Sequence, residues 1–263
     1  MRNKLTQNVY RFPAAPNFSR RSPFQNLNRH DSCCEMLNSR LKIASGSKLV
    51  MIGDSVTDCN RAKPVGEGLF GALGEGYVRD ISSLLQVCEP NHRIRIVNMG
   101  IGGNTVRDLE ARWDNDVMKL KPDWLSIMIG INDVWRQFDS PSQPEQGVPL
   151  EEYEATLQRL VTTTLPSIHG LVLMSPFFIE LNKADAMRAR MDEYGEVVKT
   201  VAANTGAVFV DAQAAFDRML HYGHSSAIAW DRVHPNPAGH MALAKAFLDA
   251  IGFQWNPPQT TAI

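Results

Sequence analysis

The chain has no apolar run long enough to span a bilayer, so no membrane partner is expected. It is also poor in cysteine, with four in 263 residues. Cys33 and Cys34 are adjacent, and Cys59 and Cys88 stand alone. No CxxC pair or metal-ligand spacing occurs, and a disulfide framework does not suit a chain of this size. Free thiols in a reducing compartment, the cytoplasm, are the expectation. His221 and His224 sit three apart without an accompanying acid cluster, so no metal or other cofactor is expected. No internal repeat is visible.

Net charge is scarce as well, at -1 overall, but its distribution is uneven. Residues 1–42 carry eight Lys or Arg against Asp31 and Glu35, which leaves nineteen basic and twenty-six acidic residues in the remainder. A body of that sign excludes nonspecific nucleic-acid binding, which rests on basic patches. Residues 1–42 are rich in Arg, Asn and Ser and lack the apolar middle of a secretory signal. They read as a disordered extension or as sequence upstream of a start at Met36, and their basic, acid-poor character has something of an organellar transit peptide. Residues 43–256 read as one domain and 257–263 as a tail, since this length suits a single core better than two.

What is present in that body is alternation. Short apolar runs at 48–53, 93–100, 123–130, 170–176 and 207–212 predict five strands. Helical spacing is found at 76–87, 105–120, 150–165, 184–204, 213–221 and 237–251. Gly206 is placed to close the fourth of these helices. Strands that are apolar throughout belong in a sheet covered on both faces. Strand then helix, repeated, implies parallel pairing through right-handed crossovers. The predicted fold is a three-layer α/β/α sandwich with a five-stranded parallel sheet. Ligands in such folds bind beyond the carboxyl ends of the strands.

Three polar loops fall there. Gly53-Asp54-Ser55 follows the first strand, Asn98-Met99-Gly100-Ile101-Gly102-Gly103 closes the second, and Gly130-Ile131-Asn132-Asp133 follows the third. Taken singly, each is ordinary turn chemistry. A serine hydroxyl becomes a nucleophile only when a base takes its proton, and that base is best a histidine oriented by an acid. Among seven histidines, His234 stands out, because Asp231 lies three residues before it in a segment stiffened by Pro235 and Pro237. A turn there lets Asp231 hold Nδ1–H while Nε2 faces Ser55. His240, by contrast, falls inside a helical pattern and reads as a partly buried structural residue. Acyl transfer also needs donors for the oxyanion of the tetrahedral intermediate. Candidates are the Ser55 N–H, a glycine N–H in the second loop and the Asn132 side-chain amide.

In order and strand placement these four blocks resemble those of the SGNH, or GDSL-type, hydrolase superfamily, named for Ser, Gly, Asn and His. The likeness covers about 48–255, with Val56 in the place of the usual Leu. It implies Ser55 as nucleophile, His234 as general base then acid, Asp231 as its orienter, and an oxyanion hole made by Ser55, Gly103 and Asn132. The stretches DCNRAKPVGEGLFGALGEGYV, GNTVRDLEARWDNDV, PDWLSIMIGINDVWRQFD and AWDRVHPNPAGHMALAKAFL are similar, more narrowly, to intracellular acetylxylan esterases. That similarity implies a small acyl group, a carbohydrate alcohol as leaving group and a homo-oligomer. A lipid, thioester or aryl ester remains an alternative on the same triad, since a fold does not choose a substrate. A carbohydrate-binding module without catalysis is the rival of another class. Trp135 and Arg136 follow Asn132 and are expected to flank the oxyanion hole, where an indole face suits a sugar ring and a guanidinium its hydroxyls. Asp54 is expected to brace the nucleophile turn and Asn104 to support the Gly103 loop, and both are counted with Trp135 and Arg136 as candidate substrate-binding residues.

Overall fold

A computed structural model of the chain describes residues 41–255. The extension and the tail therefore lie outside the described residues, apart from Leu41 and Lys42. Those two already belong to the folded body: Leu41 is buried in the core, and the Lys42 N–H donates to Ile251 O at 2.8 Å.

Five strands form one sheet: β1 Lys48–Gly53, β2 Arg95–Gly100, β3 Trp124–Met128, β4 Gly170–Met174 and β5 Val208–Val210. Every pairing is parallel and the spatial order is β2-β1-β3-β4-β5. The expected sandwich is what is found. Alternate residues of β1 serve two separate cores. Val50 and Ile52 pack on one face with α3 Val106–Trp113, α4 Ile131–Asp139, α5 Leu150–Thr164 and α6 Ala186–Thr205. Leu49 and Met51 pack on the other with α2 Tyr77–Cys88, α7 Ala212–Leu220 and α8 Pro237–Ala250. This double burial is why β1 is apolar at every position except its first, since each side chain leaving water contributes about 1.5–3 kcal/mol.

Strand order reverses at β1, because the chain moves out to β2 and then returns to place β3 on the opposite side. A crevice opens at such a switch point, outside the strand ends. The ends of the three strands lie in register, with Gly53 opposite both Gly100 and Met128. The three polar loops therefore open on one edge of the sheet, as expected from the sequence.

Several boundaries differ from the sequence reading. The third strand stops at Met128 rather than at residue 130, because Gly130 takes φ 132 and turns the chain. Directly after it comes α4, which the sequence reading treated as loop. Its apolar face is short, and Asn132, Asp133, Arg136, Gln137 and Asp139 dilute the periodic signal. The helix expected over 105–120 begins as α3, opened by a Thr105/Asp108 capping box, and widens into a π-helical turn at Asp114–Met118. The fourth predicted helix, α6, ends as anticipated, with Gly206 at φ 70 and its N–H on Ala202 O.

Candidate active site

Ser55 opens α1, the single turn Ser55–Asp58 that follows β1. Asp54 caps that turn, its Oδ1 accepting the Val56 N–H at 3.0 Å. The Cys59 N–H closes it on Ser55 O at 3.0 Å, with Cys59 in the left-handed region at φ 40. Asp54 thus braces the turn, as the sequence suggested. Burial pushes its carboxyl up to about 7, against the pull of the Val56 N–H and the field of His234.

His234 and Asp231 lie in the loop before α8. Ser55 Oγ and His234 Nε2 are 2.8 Å apart, and His234 Nδ1 and Asp231 Oδ2 are 2.6 Å apart. Asp231 Oδ1 also accepts the backbone N–H groups of Val233 and His234, each at 2.9 Å. Partial burial would raise the Asp231 pKa, but the hydrogen bonds from the His234 ring and from both N–H groups outweigh it and hold the carboxyl below its ordinary value. An ionised acceptor on Nδ1 places the ring proton there and leaves Nε2 free to accept from Ser55 Oγ–H. The two prolines work as the sequence implied: Pro235 follows the histidine, and Pro237 occupies the first turn of α8, where a missing N–H costs nothing.

The glycine loop borders the serine. A Cβ built on Gly102 would lie 3.9 Å from Ser55 Cβ. Gly103 is exposed at φ +79 with nothing within 4 Å of such a Cβ, so its surroundings leave room for a substrate. Asn132 sits in the first turn of α4, is buried, and donates from Nδ2 to Asn104 O at 3.0 Å. Asn104 Oδ1 in turn accepts from Arg112 Nε at 2.7 Å. Asn104 therefore does support the Gly103 loop, through both its backbone and its side chain.

Trp135 and Arg136 divide. The Trp135 ring lies 5.9 Å from the His234 ring, tilted by 57°, so it stands beside the histidine. Arg136 stands 5.3 Å from the centre of the Trp135 ring, pairs with Asp139 and reaches Asn132 Oδ1 at 3.5 Å. A cavity of about 360 Å³ begins beside Asp231. Its walls include Trp135, Phe138, Phe178, Asp185, Asp231 and Arg232.

Two residues of this region carry no assigned role in the sequence reading. Asp133 is fully buried, with Oδ1 accepting the Val106 N–H at 2.9 Å and Oδ2 without a partner. Arg112 bonds to the ends of two strands and to the loop that follows the second, as described below. A charged residue in a helix reads as solvent-facing unless its burial is known, so neither left a signal beyond its charge. His240 is buried as expected, with Nδ1 accepting the Tyr77 N–H at 3.2 Å. Among the described residues no group of three or more His, Cys, Asp or Glu is placed to hold a metal ion, and no helix is long and apolar enough to cross a membrane.

Comparison with known proteins gives, among others, four matches. Residues 51–242 match the GDSL-like lipase/acylhydrolase family. An acetylxylan esterase of Geobacillus stearothermophilus is 60% identical over 215 residues, which cover 82% of this chain and 98% of the relative. Among solved structures, the crystal structure of Axe2, an acetylxylan esterase from Geobacillus stearothermophilus, matches with a TM-score of 0.82 at 59% identity over 83% of this chain and 100% of that one. That of LAE5, an alpha/beta hydrolase enzyme from the metagenome of Lake Arreo, Spain, matches with a TM-score of 0.80 at 55% identity over 81% and 98%.

Proposed function

The chain belongs to the GDSL-like lipase/acylhydrolase family and is a carboxylic ester hydrolase; we propose that it removes acetyl groups from acetylated xylo-oligosaccharides or related carbohydrates, with Ser55, His234 and Asp231 as its triad. The observation that carries the mechanism is the continuous hydrogen-bonded line from Ser55 Oγ through the His234 ring to Asp231. Ser55 Oγ attacks the acetyl carbonyl carbon while its proton passes to His234 Nε2. Asp231 stabilises the imidazolium that results. The oxyanion is held by the Ser55 and Gly103 N–H groups and the Asn132 amide. Loss of one such donor typically costs about 10²–10³ in turnover. As the C–O bond of the ester breaks, Nε2–H protonates the departing sugar oxygen and leaves acetyl on Ser55. A water gives its proton to the same nitrogen and attacks the acyl carbon, and Ser55 recovers its hydrogen as acetate leaves.

The carbohydrate alcohol is supported by two observations. One is the 60% identity to an acetylxylan esterase. The other is the cavity beside Asp231, where aromatic rings of Trp135, Phe138 and Phe178 stand near the carboxylates of Asp185 and Asp231 and the Arg232 guanidinium. Flat apolar faces ringed by hydrogen-bonding groups fit a sugar, whose ring faces are apolar and whose rim is hydroxyl. The homo-oligomer belongs to the same proposal. Phe70, Tyr222 and Trp230 are almost wholly exposed, and such surface suits contact with another copy.

Product analysis after incubation with acetylated xylo-oligosaccharides tests the reading. Free acetate and deacetylated oligosaccharide are expected from the wild type and not from Ser55→Ala. A preference for octanoyl over acetyl esters would remove the carbohydrate reading and favour a lipid ester. Trp135→Ala is expected to lose at least tenfold in kcat/KM on the oligosaccharide while 4-nitrophenyl acetate changes little.

A further inference from the structure

Arg112 stands in the last turn of α3, and its guanidinium reaches the ends of two strands and the loop between them and Asn132. Nη2 donates to Gly53 O at 3.0 Å, at the last residue of the strand that delivers Ser55. Nη1 donates to Met99 O at 2.7 Å, one residue before the end of β2. Nε donates to Asn104 Oδ1 at 2.7 Å, next to Gly103. Asp116, one turn on, holds Nη1 from the other side at 2.7 Å. The side chain is 13% exposed, so these bonds form largely out of water.

The chain of contacts has a direction. Gly53 O leads to Arg112, Arg112 to the Asn104 side chain, and Asn104 O to the Asn132 amide. A single planar fork thus spans the loop that carries the nucleophile and the loop that carries the glycine donor, and the second loop passes the constraint to the third. At the strand ends the ladder is finished, so sheet pairing no longer fixes the spacing of these loops. A guanidinium offers five donors in a fixed plane, whereas a lysine ammonium offers three on one flexible point. Only the former can hold three acceptors from two adjacent strand-end segments in one arrangement.

We propose that Arg112 is a positioning residue that sets the separation between Ser55 and the oxyanion donors, and that it acts on turnover rather than on substrate affinity. This rests on the assignment of Ser55, Gly103 and Asn132 given above. Misplacing a reacting group by about 1 Å is enough to cost about 10²-fold in rate. Because the transition state uses the oxyanion donors more than the ground state does, the loss belongs in kcat.

The test compares wild type, Ser55→Ala, Arg112→Lys, Arg112→Ala and Asp116→Asn on 4-nitrophenyl acetate, with thermal melting and circular dichroism of each. Arg112→Lys is expected to keep a cooperative melt and a KM within about twofold while kcat falls by about 10–100-fold. Added guanidinium ion is expected to restore part of kcat to Arg112→Ala and none to Ser55→Ala. A folded Arg112→Lys with wild-type kcat, or with raised KM and unchanged kcat, overturns the proposal. If both Arg112 variants fail to fold, Asp116→Asn decides, since it loosens the guanidinium without removing it. A lower kcat at constant KM then supports the proposal, and an unchanged kcat overturns it. Wild-type turnover by Ser55→Ala defeats the assignment of the nucleophile, whereas an inert Ser55→Ala beside a fully active Arg112→Lys defeats only the role of Arg112.

Discussion

Replacing Asp133 with Asn should make the protein more stable at alkaline pH and leave it nearly unchanged in mild acid. The carboxyl is wholly buried, satisfied at Oδ1 by the Val106 N–H and unsatisfied at Oδ2. Burial raises its pKa from 3.8 to about 7, against the hydrogen bonds of the Val106 and Asp133 N–H groups, and the negative charge of Asp54 adds to the rise. Between those two values the folded protein holds a proton that the unfolded chain has released. The unfolded state therefore binds fewer protons, and stability falls as pH climbs through this window. A shift of about three units, at about 1.36 kcal/mol each, sets a ceiling of about 4 kcal/mol. Asn keeps an oxygen for the Val106 N–H and cannot ionise. In urea unfolding, Asp133→Asn and wild type should agree within about 1 kcal/mol at about pH 5 and differ by about 2–4 kcal/mol in favour of the variant at about pH 8.5. A difference that does not change with pH refutes the reasoning, and so does a variant that is weaker at the higher pH, because the native carboxyl would then be charged and paired.

Other perturbations follow from the same geometry. Gly53→Ala would drive a Cβ into Met128 O and Thr57 Oγ1, at the point where β1 meets β3 and turns into α1; a loss of about 1–3 kcal/mol in urea unfolding is expected, with turnover falling too. His240 is held at about 4 by burial, so the unfolded chain takes up its proton first as pH falls from 6.5 and stability drains away across that window. His240→Gln keeps an acceptor for the Tyr77 N–H and should flatten that acid limb, whose ceiling is about 3 kcal/mol; an unchanged limb would contradict the assignment. Asp231→Asn should leave Ser55 and His234 in place but favour the wrong ring tautomer, costing about 10³–10⁴ in kcat with little change in KM.

Much of this molecule was legible before its structure, for identifiable reasons. The five strands announce themselves because both faces of the sheet are covered, which forces apolar residues at successive positions rather than at alternate ones. Asp231 and His234 were readable because three residues and a proline-stiffened loop leave few ways to arrange them. Asn132 was readable as a side-chain amide after a strand, yet the helix that carries it was not, since five polar or charged side chains interrupt its apolar face. Arg112 and Asp133 were opaque for a different reason. Their importance comes from burial and from partners as far as 27 residues away for Asp133 and 59 for Arg112, and local pattern holds no record of either. The contact of Trp135 with the His234 ring had no local signature, because position along a helix fixes which way a side chain points and the sequence reading placed no helix there.

Ser55 Oγ is the atom that takes the acyl group in the proposed mechanism. The most direct measurement is mass spectrometry of enzyme quenched during turnover of an acetyl ester, followed by mapping of the modified peptide. The account predicts an acetyl group on Ser55 in the wild type, its accumulation when deacylation is slowed, and no adduct and no turnover in Ser55→Ala. An acetyl group carried by another residue, or wild-type turnover by Ser55→Ala, would contradict it.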